Sequence, residues 1–484
     1  MDKFAFYIKK LDDIVWGPGM LVLLLGTGCY LMLRLRFLPL KNLKYALLCA
    51  VGREDTLKGE HCKSCCESCL AREYEYRKGA DNGQKAKEYK GVSSFSALTT
   101  ELAATIGTGN IVGVSTAMVL GGPGALFWMM VASILGMATK LVESSLAVKY
   151  RSFNGKDEPT GGPMYTLQNA FPHKRLGKLL GICFAVFAVL ASFGMGNMTQ
   201  SNSIADAMKT TFGVPVAKTG LVVTIITILV VIGGIRSIAK VTRVVVPFMG
   251  ILYMAGTFLV ILTHWQNIPG DIMDIVIMAF CPQAVAGGVA GNITVTMLES
   301  LRWGVSRGVF SNEAGLGVSG ISAASAGTSD YIKQGYISMT GVFLDTMVIC
   351  SFTGLALIAS GVLGMTDDKG IPVAGIALTI AAFYTTFGEF GGYFVSICIV
   401  LFAFATIAGW AYQGEKAFEF LVKKTSYCIW YRFFYALIAF VGAVCSLEVV
   451  WDFADICNGL LVIPNLIGVL VLSEGICREI CEYK

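Results

Sequence analysis

The chain has 484 residues, of which 55% are hydrophobic and only 15% charged, and its mean hydropathy is +0.65. A soluble domain carries nearer a quarter charged residues, so the composition argues against a soluble globular fold and for an all-α polytopic membrane protein. The formal net charge of +5 does not indicate a nucleic-acid partner, because the basic residues sit in short loops and do not cluster with aromatics on one polar face.

From the N-terminus, MDKFAFYIKKLDDIVWGPG shows no small-residue cleavage site and its apolar run continues to Phe37, which predicts a retained span and not a signal peptide. Eleven spans are predicted, at 13–37, 95–120, 124–149, 177–208, 215–234, 238–264, 272–297, 335–363, 389–413, 429–447 and 451–473. Residues 299–317, ESLRWGVSRGVFSNEAGLG, are too polar to face lipid and predict an interfacial helix and turn. GIPVAGIALTIAAFY, before the ninth span, predicts another amphipathic piece.

Basic residues set the expected orientation. Arg34, Arg36, Lys41 and Lys44 follow span one, Lys149, Arg151, Lys156, Lys174 and Arg175 follow span three, and Arg236, Lys240 and Arg243 surround the fifth connection. Arg302, Arg307 and Lys333 follow span seven, and Lys416, Lys423, Lys424 and Arg432 follow span nine. Opposite loops carry Asp271, Asp274, Asp367, Asp368 and Glu389. The N-terminus is expected outside, against the pull of Lys3, Lys9 and Lys10, and the C-terminus in the cytoplasm of a plasma-membrane protein.

With span one set aside, ten spans remain as two groups of five. Span two is interrupted by GTGN and span seven by CPQAVAGGVAG at 281–291, so each half is expected to open with a broken helix. Corresponding interruptions point to an inverted-repeat secondary transporter with its site near the bilayer midplane. The organisation expected is an N-terminal span (1–38), a cytoplasmic Cys-rich loop (39–94), two repeats (95–264 and 265–473) and a cytoplasmic tail (474–484).

The stretch LAATIGTGNIVGVSTAMVL, 102–120, imitates a nucleotide loop, yet its flanks are membrane spans and no acidic residue follows at the ribose position. Its glycines could serve helix packing alone. Thr100, Glu101, Thr105, Thr108 and Asn110 within the same span favour a functional break, because an unwound turn survives in lipid only where it lines a cavity or meets a ligand. Such a turn exposes carbonyls to a cation, and the next half-helix presents N–H groups and about half a positive charge to a carboxylate.

The motifs AATIGTGNIVGVSTAMVLGGPGALFWMM, GGPMY (161–165), NMTQSNSIA (197–205), RGVFSNEAGLG (307–317), DTMVIC (345–350) and IAGWAYQGEKA (407–417) resemble the alanine/glycine:cation symporter family, the sodium:alanine symporters. The resemblance runs from span one to the end. It implies a fold of the leucine-transporter type that imports small neutral amino acids, alanine or glycine, with Na+ by alternating access. By that likeness Thr108, Gly109 and Asn110 hold the substrate carboxylate, Gln200 faces the same pocket and Trp410 closes over the substrate. Carbonyls near Ala103 and Ile106 and the Thr406 hydroxyl would hold Na+. Gln200 as a helix–helix hydrogen-bonding residue and Trp410 as an interfacial anchor stay open, as do larger neutral substrates such as glutamine or methionine, and H+ in place of Na+.

Charged residues in spans are functional candidates by default. Lys140 and Glu143, three apart, are expected to pair with each other, as are Arg307 and Glu313 across the FSN turn; Asp345 sits beside Thr346. Glu101 has no local partner in sequence and is a candidate coupling or gating group. Between spans one and two, Cys62, Cys65, Cys66 and Cys69 beside His61 read either as a zinc site or as a reduced cytosolic loop. A channel would need polar rings along a continuous path. An intramembrane enzyme would need a nucleophile and base, whereas His61, His173 and His264 fall in loops or at span ends. The expected partners are a small neutral amino acid and the lipid bilayer, with a monomer as the assembly.

Overall fold

Proline and glycine mark where several helices begin. Pro18 follows Gly17 and Pro163 follows Gly162, whose φ of 115° suits glycine alone; proline in a first turn loses no hydrogen bond, since that N–H has no helical partner. The computed structural model describes residues 3–53, 91–154, 158–232, 234–280, 283–288 and 291–483. Among these, eight helices are long and apolar enough to cross a membrane, and Val216–Ile232 and Gly375–Phe387 are shorter apolar helices.

In chain order, α1 (Lys3–Val15) and α2 (Pro18–Arg34) replace one continuous first span, and α3 (Leu43–Ala50) follows. Next come α4 (Ser94–Thr105), a 3-10 turn (Thr108–Asn110), α5 (Val112–Leu120) and α6 (Gly124–Lys149). The short strands β1 (Ser152–Phe153) and β2 (Pro159–Thr160) pair antiparallel before α7 (Pro163–Ala170). A long element then joins α8 (Lys174–Phe193) through a π turn (Gly194–Met198) to α9 (Thr199–Phe212), followed by α10 (Val216–Ile232) and α11 (Gly234–Thr263).

The second half runs through α12 (Ile268–Phe280), the antiparallel strands β3 (Gln283–Gly288) and β4 (Gly291–Thr296), α13 (Met297–Asn312) and α14 (Ser319–Ala323). Then α15 (Tyr331–Val342) passes through a π segment (Phe343–Cys350) into α16 (Ser351–Ala359), and α17 (Gly375–Phe387), α18 (Glu389–Val422), α19 (Cys428–Val444) and α20 (Leu447–Glu482) complete the chain.

The break between α4 and α5 is built locally. Ser93 caps α4 by accepting from Ser96 N at 3.1 Å, and the helix stops where Ile106 turns extended (φ −74°, ψ 90°). Asn110 Oδ1 then accepts the Gly107 N–H at 2.9 Å, a side-chain partner in place of a helical one.

The second break lies elsewhere than at 281–291. The glycine-rich stretch supplies the β3–β4 pair instead of interrupting a helix, and the expected span at 272–297 is divided between α12 and that hairpin. Glycine content alone cannot tell a broken helix from a hairpin. The discontinuity is α13–α14: the helix starts in a reciprocal Thr296/Glu299 capping box and ends at Glu313 in left-handed conformation (φ 58°), with Gly315 (φ 92°) and Gly317 (φ 80°) in the turn. The polarity of 299–317, which suggested an interfacial helix, belongs to side chains paired in the interior, where Arg307, Ser311, Asn312 and Glu313 are buried.

Helix α5 packs on α13, and α4 packs on α14. The half-helix before the first break therefore meets the one after the second, so the two discontinuous elements run antiparallel. The last helix also exceeds expectation, because residues 474–482 continue α20 rather than forming a separate tail. Glu479 fastens this end through Lys149 (2.5 Å) and the Tyr331 hydroxyl (2.9 Å).

Candidate functional site

The two breaks meet around Asn110. Its Nδ2 donates to Asp345 Oδ1 at 2.7 Å, while its Oδ1 holds the Gly107 N–H. Asp345, in the π segment, also accepts from Ser311 Oγ at 2.6 Å and Thr346 Oγ1 at 2.9 Å, and Thr346 Oγ1 accepts from Asn312 Nδ2 at 3.0 Å. One carboxylate thus ties the first break to the end of α13. A π segment displaces the regular helical ladder and often marks a functional position.

Gln200 stands over the same turn. Its Oε1 accepts the Thr108 N–H at 3.2 Å and its Nε2 donates to Met195 O at 3.0 Å, so it bridges the break to the first π turn. The Thr108 hydroxyl is buried without a partner. Thr406 Oγ1 lies 3.4 Å from Ile106 O and 3.2 Å from Phe402 O, which brings three oxygens together where α4 unwinds. Ala103 is buried one turn earlier on α4. Hard, mostly neutral oxygen donors of this kind suit a small cation.

Trp410, one turn beyond Thr406 on α18, is fully buried and so is not an anchor at a membrane edge. Close approach explains Gly196 against it and two glycines of the unwound turn. A Cβ on Gly196 would lie 2.6 Å from Trp410 Cγ, one on Gly109 3.1 Å from Ser311 Cα and 3.3 Å from Phe310 Cδ1, and one on Gly107 3.2 Å from Gln200 Oε1.

Ion pairing departs from the local expectations. Lys140 does not pair with Glu143 but reaches Glu101 Oε1 at 3.5 Å, donates to Asn312 O at 3.0 Å and hydrogen-bonds Ser319 Oγ. Glu143 instead accepts from Asn465 Nδ2 at 2.5 Å. Arg307 pairs with Asp455, not Glu313, through two parallel hydrogen bonds of 3.1 and 2.5 Å. Glu313 accepts from Ser319 Oγ at 3.0 Å. In both cases the partner comes from a distant part of the chain, which helical spacing cannot reveal. Glu101 accordingly has a partner, on α6.

Ser311, Thr346 and Glu313 were not among the site residues expected from sequence; their signal was polar residues in otherwise buried segments. Cys62, Cys65, Cys66 and Cys69 lie outside the described residues. Among the described residues no group of three or more His, Cys, Asp or Glu side chains is placed to hold a metal ion.

Two discontinuous helices packed antiparallel, with polar groups converging where both unwind, define an inverted-repeat membrane transporter. Residues 74–484 match the profile of the sodium:alanine symporter family, and the chain belongs to that family of transporters; it is not an enzyme. It is 43% identical over 481 residues to the sodium/alanine symporter AgcS of Methanococcus maripaludis, covering 98% of this chain and 96% of that protein. It is 34% identical to the probable sodium/glutamine symporter GlnT of Bacillus subtilis, covering 98% and 89% respectively. The crystal structure of MhsT in complex with L-phenylalanine superposes with a TM-score of 0.56 at 12% identity, over 81% of this chain and 92% of that one, a likeness of fold alone.

Proposed function

We propose that this protein imports a small neutral amino acid, alanine or glycine, together with Na+ by alternating access. The observation that carries the reading is the unwound turn at Gly107–Asn110, beside which the Ile106 and Phe402 carbonyls and the Thr406 hydroxyl converge. Na+ takes those oxygens, with the carbonyl of Ala103 as a further ligand. The substrate carboxylate is held at Thr108, Gly109 and Asn110, with the Thr108 N–H passing to it from Gln200 Oε1 and the start of α5 contributing a favourable dipole. Gln200 orients the turn, and Trp410 covers the substrate.

The tight packing of Trp410 on Gly196 and of Phe310 on Gly109 favours a small side chain over glutamine. The name of the AgcS relative points to the same substrate. Binding both solutes at one break couples them, because the cation offsets the carboxylate charge that would otherwise enter a low-dielectric interior alone. One Na+ gains about 2.3 kcal/mol per 100 mV, and a tenfold gradient adds about 1.4 kcal/mol. Together these concentrate substrate by a factor on the order of several hundred.

The chain is arranged in this reading as eleven crossings, one plus the inverted halves 95–264 and 265–473, with the N-terminus outside and the C-terminus cytoplasmic. Labelled alanine uptake into proteoliposomes tests it. Uptake is expected to collapse when the Na+ gradient is removed, and uptake indifferent to Na+ sinks the coupling.

A further inference from the structure

The wall of the site at Gly109 is backed by a helix that belongs to neither break. The Phe310 ring lies against the unwound turn, where a Cβ on Gly109 would meet its Cδ1 at 3.3 Å. The Trp451 indole of α20 covers the face of that ring, with 4.8 Å between centroids and 18° between planes. Both side chains are buried, and stacked rings at this separation attract each other beyond the apolar area they remove from water.

Helices α13 and α20 meet here through matching faces. Trp303, Arg307 and Phe310 fall on one stripe of α13, and Trp451 and Asp455 lie one turn apart on α20. Arg307 binds Asp455 through two parallel hydrogen bonds, and its guanidinium stands 5.6 Å from the Phe310 centroid and 5.0 Å from that of Trp451. The backbone of Asp455 is fixed in turn, because its carbonyl accepts from Trp16 Nε1 at 3.0 Å. Trp451 is thus held behind Phe310 by a charged pair that has one geometry. In a close-packed interior the phenyl ring cannot retreat from Gly109 while the indole stands there.

We propose that Trp451 is a specificity-determining positioning residue: as the backstop of Phe310 it fixes the width of the site beside Gly109 and restricts the substrate to glycine, alanine and side chains of similar size. It acts through Phe310 and not by touching the substrate. One methylene more or less in a hydrophobic pocket changes discrimination by roughly 10- to 200-fold, so a small retreat of one ring is enough to alter the substrate range. The inference deepens the small-substrate reading above and rests on it.

The test measures selectivity and not activity alone. Glycine, alanine, methionine, leucine and phenylalanine compete against labelled alanine for the full-length protein in Na+, in wild type and in W451F, W451L, F310L and the W451L/F310L double variant. In W451L the ratio of the leucine to the alanine inhibition constant is expected to fall roughly tenfold, through tighter binding of leucine. W451F keeps a ring on Phe310 and retains the wild-type ratio. F310L lowers the ratio as W451L does, and the double variant lowers it no further than F310L, because the indole acts only through the phenyl ring.

Where W451L does not fold, W451M supplies the same measurement with a flexible side chain that fills irregular space. A variant that weakens all five amino acids equally has lost only structure, and that result overturns the proposal, as do fully additive effects in the double variant. If the wild type does not bind alanine, or binds leucine as tightly, the small-substrate reading falls and the filter with it. If the wild type prefers alanine and the variant keeps that preference, the filter falls alone.

Discussion

Two buried ionic clusters border the site, and they are built on opposite plans. On α13, before the second break, Arg307 and Asp455 form one cation and one anion in a bidentate pair. The guanidinium is also packed against the rings of Trp303, Phe310 and Trp451 at 5.2, 5.6 and 5.0 Å. At the break itself, one ammonium serves several carboxylates. Lys140 touches Glu101 and, through Ser319, Glu313, while both oxygens of Glu101, Oε2 of Glu143 and Oε1 of Glu313 lack hydrogen-bond partners. A matched pair with planar geometry has one arrangement and acts as a fixed joint. A cluster with more acceptors than donors has several arrangements of similar energy, which is what a part that changes partners during a cycle requires.

The comparison is broken most directly at the fixed joint. Arg307→Ala leaves the Asp455 carboxylate buried and unpaired, so stability should fall by about 3–5 kcal/mol, read as a drop in melting temperature in detergent. Arg307→Lys should recover only part of this, because an ammonium cannot make the fork. Equal melting of wild type and Arg307→Ala would make the pair incidental.

Between the clusters, the unwound turn should be more sensitive in binding than in stability. Gly109→Ala pushes a methyl group against Ser311 and Phe310, and Asn110→Ala frees both the Gly107 N–H and Asp345 Oδ1. Each should abolish measurable substrate binding while the protein still elutes as a single folded species. Wild-type affinity in either variant would return the stretch to helix packing. Thr406→Val keeps the shape of the side chain and removes one proposed cation ligand; it should raise the half-saturating Na+ concentration by roughly tenfold with less change in maximal rate at saturating Na+.

At the over-subscribed cluster, Lys140→Arg should preserve uptake better than Lys140→Met, because charge and donors to Asn312 and Ser319 matter more there than one geometry. A loss equal in both variants would show Lys140 to be as fixed as Arg307. The smallest effect is expected at the entrance to α13. Glu299→Ala removes half of an exposed capping box, and stability should change by no more than about 1 kcal/mol.

Legibility from sequence followed the range of the interactions involved. The first break was readable because its cause is local: Gly107 and Asn110 lie three residues apart, and one makes the turn that the other caps. The second break was misplaced, because the glycines at 281–291 carry the same signal and the NEAGLG turn was masked by polar neighbours. Those neighbours are interior groups whose partners are remote, Arg307 meeting Asp455 and Asn312 meeting Lys140 and Thr346. Helical spacing suggested Glu143 for Lys140, and nearness across the FSN turn suggested Glu313 for Arg307; in both cases a distant residue won.

The amino-acid sequence alone determined a polytopic helical protein, the broken helix at Gly107–Asn110 and the family it resembles, and through that resemblance it named Gln200 and Thr406, which the structure brings to that break. Apolar length and helix-breaking residues are properties of short segments, and they act before any tertiary contact forms. Only the tertiary structure decided which charged residues pair and where the second helix unwinds. Buried charges select partners by geometry across the bundle, and in a low-dielectric interior that selection outweighs nearness along the chain.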